Sequence, residues 1–172
     1  MSSLVLLDKF VGDDGNDIIV TGIDDTYDSY KIYFKAGWTG YNNGLNLFVT
    51  KGGVIQTGAN YKYAGINIYN GGAIRYRRGT ASTSISMWNN NQENNARAAG
   101  LVTFTAELFN FANPSGYDYI TANGTSQSND QYNYFCPVIH GVHTVASASD
   151  GFALRRNSGL SMGGELSLYG VK

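Results

Sequence analysis

Between residues 101 and 111 apolar and polar side chains alternate almost without a break: Val102, Phe104, Ala106 and Leu108 take one parity, Thr103, Thr105 and Glu107 the other. A helix repeats every 3.6 residues and would scatter those apolar groups, whereas a strand repeats every two and gathers them on one face. The segment therefore predicts one long, central strand. The same period places Tyr30, Ile32 and Phe34 opposite Lys31, Tyr33 and Lys35, and shorter copies occur at Leu45, Leu47 and Val49, at Ile85 and Met87, and at Leu166 and Leu168. Between Tyr61 and Tyr69 the phase slips, because Tyr61 and Tyr63 share one parity and Ile66 and Ile68 the other. A β-bulge at Ala64-Gly65 would restore a single inward face.

Turn signals separate these runs: Gly12 to Gly15, Tyr41 to Gly44, Gly52-Gly53, Asn70 to Gly72, Asn113 to Gly116, Asn123-Gly124 and Gly163-Gly164. With 22 glycines, 13 tyrosines and only 2 prolines in 172 residues, the pattern is that of short strands joined by tight polar turns. It predicts an all-β, antiparallel sandwich or barrel. No long repeat and no linker divides the chain, so residues 1–172 are expected to form a single domain. The two most polar stretches, residues 88–95 and 123–130, read as loops, and residues 92–99 offer no apolar stripe for a helix.

Charge narrows the function. Lys and Arg number 12 against 13 for Asp and Glu, and charged residues make up only 15% of the chain. Nucleic-acid binding draws on an excess of cations that displaces phosphate counterions, and attachment to an anionic membrane surface draws on a basic cluster; neither is expected here. No run approaches the ~20 apolar residues of a membrane span, and Leu4 to Leu7 is too short for a signal-peptide core. A soluble chain without an export address is expected. The single cysteine, Cys136, allows no internal disulfide, and its place among aromatics predicts a buried, inert thiol.

Constellations for chemistry are sparse. His140 and His143 are three apart in a strand-like segment, which sends them to opposite faces and makes them poor joint ligands for one metal. Nucleophile-elbow, zinc-protease and phosphate-loop motifs are not found in the sequence. Asp13, Asp14 and Asp17 resemble one copy of a calcium-binding repeat that needs stacked neighbours; a solvated hairpin turn is the simpler reading, with weakly held calcium as the alternative. Asp24 and Asp25 read as a turn before the Tyr27 strand. No catalytic residue, metal site or cofactor is expected. Arg75 and Arg77, with Arg78 around Tyr76, form the one local cationic group, read as an interface or surface hairpin. Trp38, Tyr41 and Trp88 are suited to sugar rings or protein contacts, and equally to a core.

Three segments, taken together, resemble a family of virion proteins from tailed bacteriophages of marine and cyanobacterial hosts. They are the opening Met1-Ser2-Ser3-Leu4-Val5-Leu6-Leu7-Asp8, the strand Thr21-Gly22-Ile23-Asp24-Asp25-Thr26-Tyr27-Asp28-Ser29-Tyr30, and the ending that runs through Asp150-Gly151-Phe152-Ala153-Leu154 and Asn157-Ser158-Gly159 to Leu166-Ser167-Leu168-Tyr169-Gly170-Val171. Leu108-Phe109-Asn110-Phe111 with Asn113-Pro114 fits between them. The resemblance implies a jelly-roll-like β-sandwich displayed on the virion, commonly as a homotrimer, and synthesised in the host cytoplasm. The implied partners are other copies of the chain and phage capsid or tail proteins. Because the sequence starts almost at the first strand, with no shaft, a capsid decoration or head-appendage protein is expected ahead of a tail fibre. The alternative is a fibre tip or carbohydrate-binding module that meets host surface glycan through Trp38, Tyr41, Trp88 and the Asn-rich loops; Arg75 and Arg77 join these aromatics only as candidate surface binding residues.

Overall fold

The computed structural model describes residues 3–12, 17–38, 44–69, 71–88, 100–127, 134–156 and 163–172. These form thirteen strands and no helix: β1 (Leu4–Gly12), β2 (Ile18–Thr21), β3 (Ser29–Trp38), β4 (Leu45–Lys51), β5 (Val54–Ile55), β6 (Tyr61–Tyr69), β7 (Ile74–Ser82), β8 (Ile85–Trp88), β9 (Gly100–Phe109), β10 (Asp118–Gln127), β11 (Tyr134–His143), β12 (Gly151–Arg156) and β13 (Gly163–Val171). They build two antiparallel sheets packed against each other. One has eight strands in the order β1-β13-β3-β9-β10-β11-β6-β7; the other runs β2-β12-β4-β5, with β8 also paired to β4.

The pairing is nested. β1 pairs with β13, β2 with β12, β3 with β9 and β4 with β8, all antiparallel, and successive pairs fall in alternate sheets. The chain thus behaves as one long hairpin doubled over on itself. Two excursions depart from that plan: β5, β6 and β7 between β4 and β8, and β10 with β11 between β9 and β12. They meet through the β6–β11 ladder and widen the larger sheet on one side. The predicted turn at residues 12–15 therefore closes no hairpin, because β1 and β2 lie in different sheets.

The period-two faces form the core. Ile32, Phe34, Val102, Phe104, Leu108 and Leu166 from the larger sheet meet Val20, Leu47, Val49, Ile85, Phe152 and Leu154 from the smaller. Burying each of these side chains contributes roughly 1.5–3 kcal/mol by removing apolar surface from water. β9 is the long central strand its alternation predicts, and it ends at Asn110, whose φ of 67° suits an asparagine.

Four local expectations are corrected. β6 runs against β11 in unbroken register from Tyr61 to Tyr69, and its irregularity lies at Tyr61/Tyr63 against β7, so no bulge occurs at Ala64-Gly65. Ile66 and Ile68 accordingly face outward. Asn123-Gly124 is not a turn but the middle of β10, where a Cβ on Gly124 would stand 2.4 Å from the Thr103 carbonyl oxygen; the glycine answers a close approach between strands. Gly163-Gly164 likewise opens β13 and pairs with Gly37 and Ala36. Cys136 is exposed, because its register opposite Ile68 places it on the outer face.

Tyr61 is the largest fully buried side chain and fastens the excursion to the core. Its hydroxyl accepts from the Val49 N–H at 3.0 Å and donates to the Gln56 carbonyl at 2.8 Å. Burial pushes its pKa up to about 12. The folded state therefore holds the neutral phenol at pH values where the unfolded chain has begun to ionise, near pH 10. Stability is expected to be full below that pH and to fall as pH rises from 10 toward 12, by on the order of 2 kcal/mol from Tyr61. Urea unfolding at pH 9 and pH 11.5 checks this; a Tyr61→Phe protein should show a shallower decline.

Candidate functional site

The β6–β7 hairpin extends past the smaller sheet, and there the inward face changes character. Register sets Asn67 opposite Arg75, Gly65 opposite Arg77 and Tyr63 opposite Gly79. Since neighbours across a ladder share a face, Arg75 and Arg77 stand on the inner side with Tyr63, Asn67 and Tyr69, while Tyr76 points outward and is 86% exposed. These residues and Arg78 line an open recess of about 270 Å³.

Its lining includes three guanidinium groups, those of Arg75, Arg77 and Arg78. Arg77 Nη2 donates to Ser86 Oγ at 2.5 Å, and Nη1 lies 3.5 Å from the Met87 carbonyl oxygen, both on β8. No carboxylate among the described residues bridges to Arg77. Burial lowers its guanidinium pKa from the ordinary value, with Tyr63 and Tyr69 acting in the opposite direction. The Arg75 guanidinium lies over the Tyr69 ring, 5.2 Å from its centroid. Asn67 is 3% exposed; its Nδ2 is 3.5 Å from the Tyr69 hydroxyl, and its Oδ1 is buried without a partner. Turning the amide over exchanges which end is unmet and removes nothing from the imbalance.

The aromatic candidates sit nearby along the chain. Trp38 ends β3, its backbone paired with Gly100, and Trp88 ends β8, paired with Leu45. Both strands finish at the same end of the sandwich, and Trp88 follows the Met87 whose carbonyl Arg77 approaches. Tyr41 lies outside the described residues, as do Asp13 and Asp14 of the acidic segment. Asp17 is paired with Arg155, whose Nη2 donates to its Oδ2 at 2.6 Å and whose Nε donates to Oδ1 at 2.9 Å.

A second feature lies at the opposite edge of the larger sheet. Among the described residues β1 is paired on one side only, with β13. Its register shifts between Leu6 and Asp8, and Leu4, Val5, Leu6 and Leu7 are all between 38% and 49% exposed. On the outer face Leu6 pairs with Tyr169, whose ring meets the exposed Tyr33 ring edge-on at 5.4 Å. The result is an apolar strip that continues over an unpaired strand edge.

His140 is exposed and His143 buried, as odd spacing in a strand requires. His143 belongs to a closed polar group: its Nδ1 lies 3.0 Å from Asp118 Oδ2, which also accepts from Ser149 Oγ at 2.8 Å. All three side chains are essentially inaccessible, and the serine bonds the carboxylate rather than the imidazole. That order ties elements together and presents no serine nucleophile to an imidazole base. Of these residues only His143 stands out in the sequence; Asp118, Ser149 and Asn67 belong to no motif. Asp118 and Ser149 are 31 residues apart, and no local spacing signals their meeting. No protein-family model matches the sequence, and no curated protein matches it.

Proposed function

We propose that this chain is a structural protein of a bacteriophage virion, a capsid decoration or head-appendage protein that acts through protein–protein interfaces. The observation that carries the reading is β1: four consecutive large aliphatic residues, half exposed on both faces of a strand whose outer edge has no partner among the described residues. Exposed apolar edges of this kind invite pairing with another chain, and a monomer that works alone normally blunts them with charge, proline or a covering loop. Here a second copy, or a shell subunit, adds its own strand or packs against Leu4, Leu6, Tyr169 and Tyr33.

The nested order supports the same reading. Alternation of β1-β13-β3-β9 with β2-β12-β4-β8 supports reading the sandwich as jelly-roll-like, a fold used by viral shell proteins among others; fold alone does not carry function. As an interface protein the chain would cement: surface buried between neighbouring subunits must be re-exposed before a shell opens, so occupancy stabilises the closed state. A second reading, a receptor or carbohydrate-binding tip, is favoured by the recess and by the gathering of Trp38 and Trp88 at one end.

Quantitative protein stoichiometry on purified particles, with labelled imaging, tests the proposal. Hundreds of copies spread over the head are expected. A few copies confined to the tail would replace cementing by the tip reading, and absence from particles would overturn both.

A further inference from the structure

We propose that the recess between β6 and β7 binds a carboxylate-bearing sugar, with Arg77 taking the carboxylate and Asn67 a ring hydroxyl. The inference is independent of where the protein sits. A guanidinium carries five N–H donors, and Arg77 directs its two bonds on β8 to neutral oxygens. A cation so placed, with no carboxylate bridged to it among the described residues, suits an incoming anion, since a buried charge is costly until paired.

Asn67 decides which anion. Its amide is buried and one end is unmet. Sulfate offers acceptors only, so it can satisfy Arg77 but leaves a carbonyl oxygen without a donor. A sugar hydroxyl both donates and accepts, so it completes Asn67 in either orientation of the amide. The apolar face of a sugar ring also has a phenol ring in the lining to lie against, that of Tyr63 on the same inner face. A volume of about 270 Å³, below the usual range of sites for drug-sized ligands, admits a terminal sugar residue rather than a buried chain.

The full chain, with ¹⁵N-labelled side chains, is titrated in turn with glucuronate, N-acetylneuraminate, glucose and sulfate. At least one acidic sugar should shift the Asn67 amide and Arg77 Nε–H resonances saturably. It should bind roughly tenfold or more tighter than glucose or sulfate, the worth of one charge-assisted hydrogen bond. Arg77→Lys keeps a cation but loses the planar fork, and should weaken that binding about tenfold. Failure of both acidic sugars to shift these two side chains overturns the proposal without any variant. Sulfate binding as tightly as the sugars overturns it too, by showing a plain anion site. Undiminished affinity in a folded Arg77→Lys protein would remove Arg77 from the role.

Discussion

Replacing Asp118 by alanine is expected to lower the stability of the fold by about 3–5 kcal/mol, the usual loss when one member of a buried polar pair is removed. The carboxylate opens β10 and is fully buried. Its Oδ2 holds His143, at the end of β11, and Ser149, in the connection to β12. The Ser149 N–H in turn donates to the Phe111 carbonyl at 2.6 Å, and the His143 ring lies 4.8 Å from that of Tyr61. One carboxylate thus links the β9–β10 turn, the end of β11, the approach to β12 and the buried tyrosine of β6. Alanine would leave an imidazole N–H and a hydroxyl without acceptors in a site closed to water. Asparagine keeps an acceptor in the same place and should cost less. Urea unfolding of the two variants beside the native chain measures this, and the melting temperature should drop by about 2–4 °C per kcal/mol for a chain of this size. A loss under about 1 kcal/mol for Asp118→Ala would mean that the group is ornament rather than fastening.

Lysine at both Leu4 and Leu6 should weaken association roughly 100-fold while leaving the isolated fold intact. Both side chains stand on the outer face, and their pairing partners are Val171 and Tyr169. They are already 49% and 47% exposed, so a change there is expected to move unfolding by no more than about 0.5 kcal/mol. In a complex the remaining apolar surface of each leucine leaves water, and lysine would bring a charge into that contact instead. Together the two changes should weaken binding by roughly 100-fold, about 2.7 kcal/mol. Sedimentation of the double variant against the native chain, with unfolding curves for both, separates the effects. Equal association by a folded double variant would remove β1 as the contact.

What could be read in the sequence was whatever a local period encodes. The faces of β3, β4 and β9 follow from alternation alone, because each strand has one side on the core along most of its length. The partners of those strands were not legible. β4 and β8, or β2 and β12, are joined by backbone ladders between distant segments, and turn chemistry constrains only neighbours in sequence. The phase slip in β6 is the instructive case. It was read as a bulge on the assumption that apolar residues must all face inward. In fact unbroken register sets Ile66 and Ile68 on the outer face, opposite Tyr76 and Ile74, while Asn67, Arg75 and Arg77 on the inner face line the polar recess. For Cys136 the aromatic neighbours predict a buried thiol, whereas the strand's parity sets it outward opposite Ile68. Arg75 and Arg77 were legible as a cationic pair, but the buried Asn67 beside them carried no signal, since its setting is created by strands from elsewhere in the chain.

Amide hydrogen exchange on the isolated chain and on the same chain assembled in its particle would test the role of β1 directly. The account predicts that the outward amides of Leu4 to Leu7 exchange fast in the isolated protein and become protected on assembly, while amides of the central strand β9 stay slow in both. Unchanged exchange at β1, with new protection elsewhere, would contradict it.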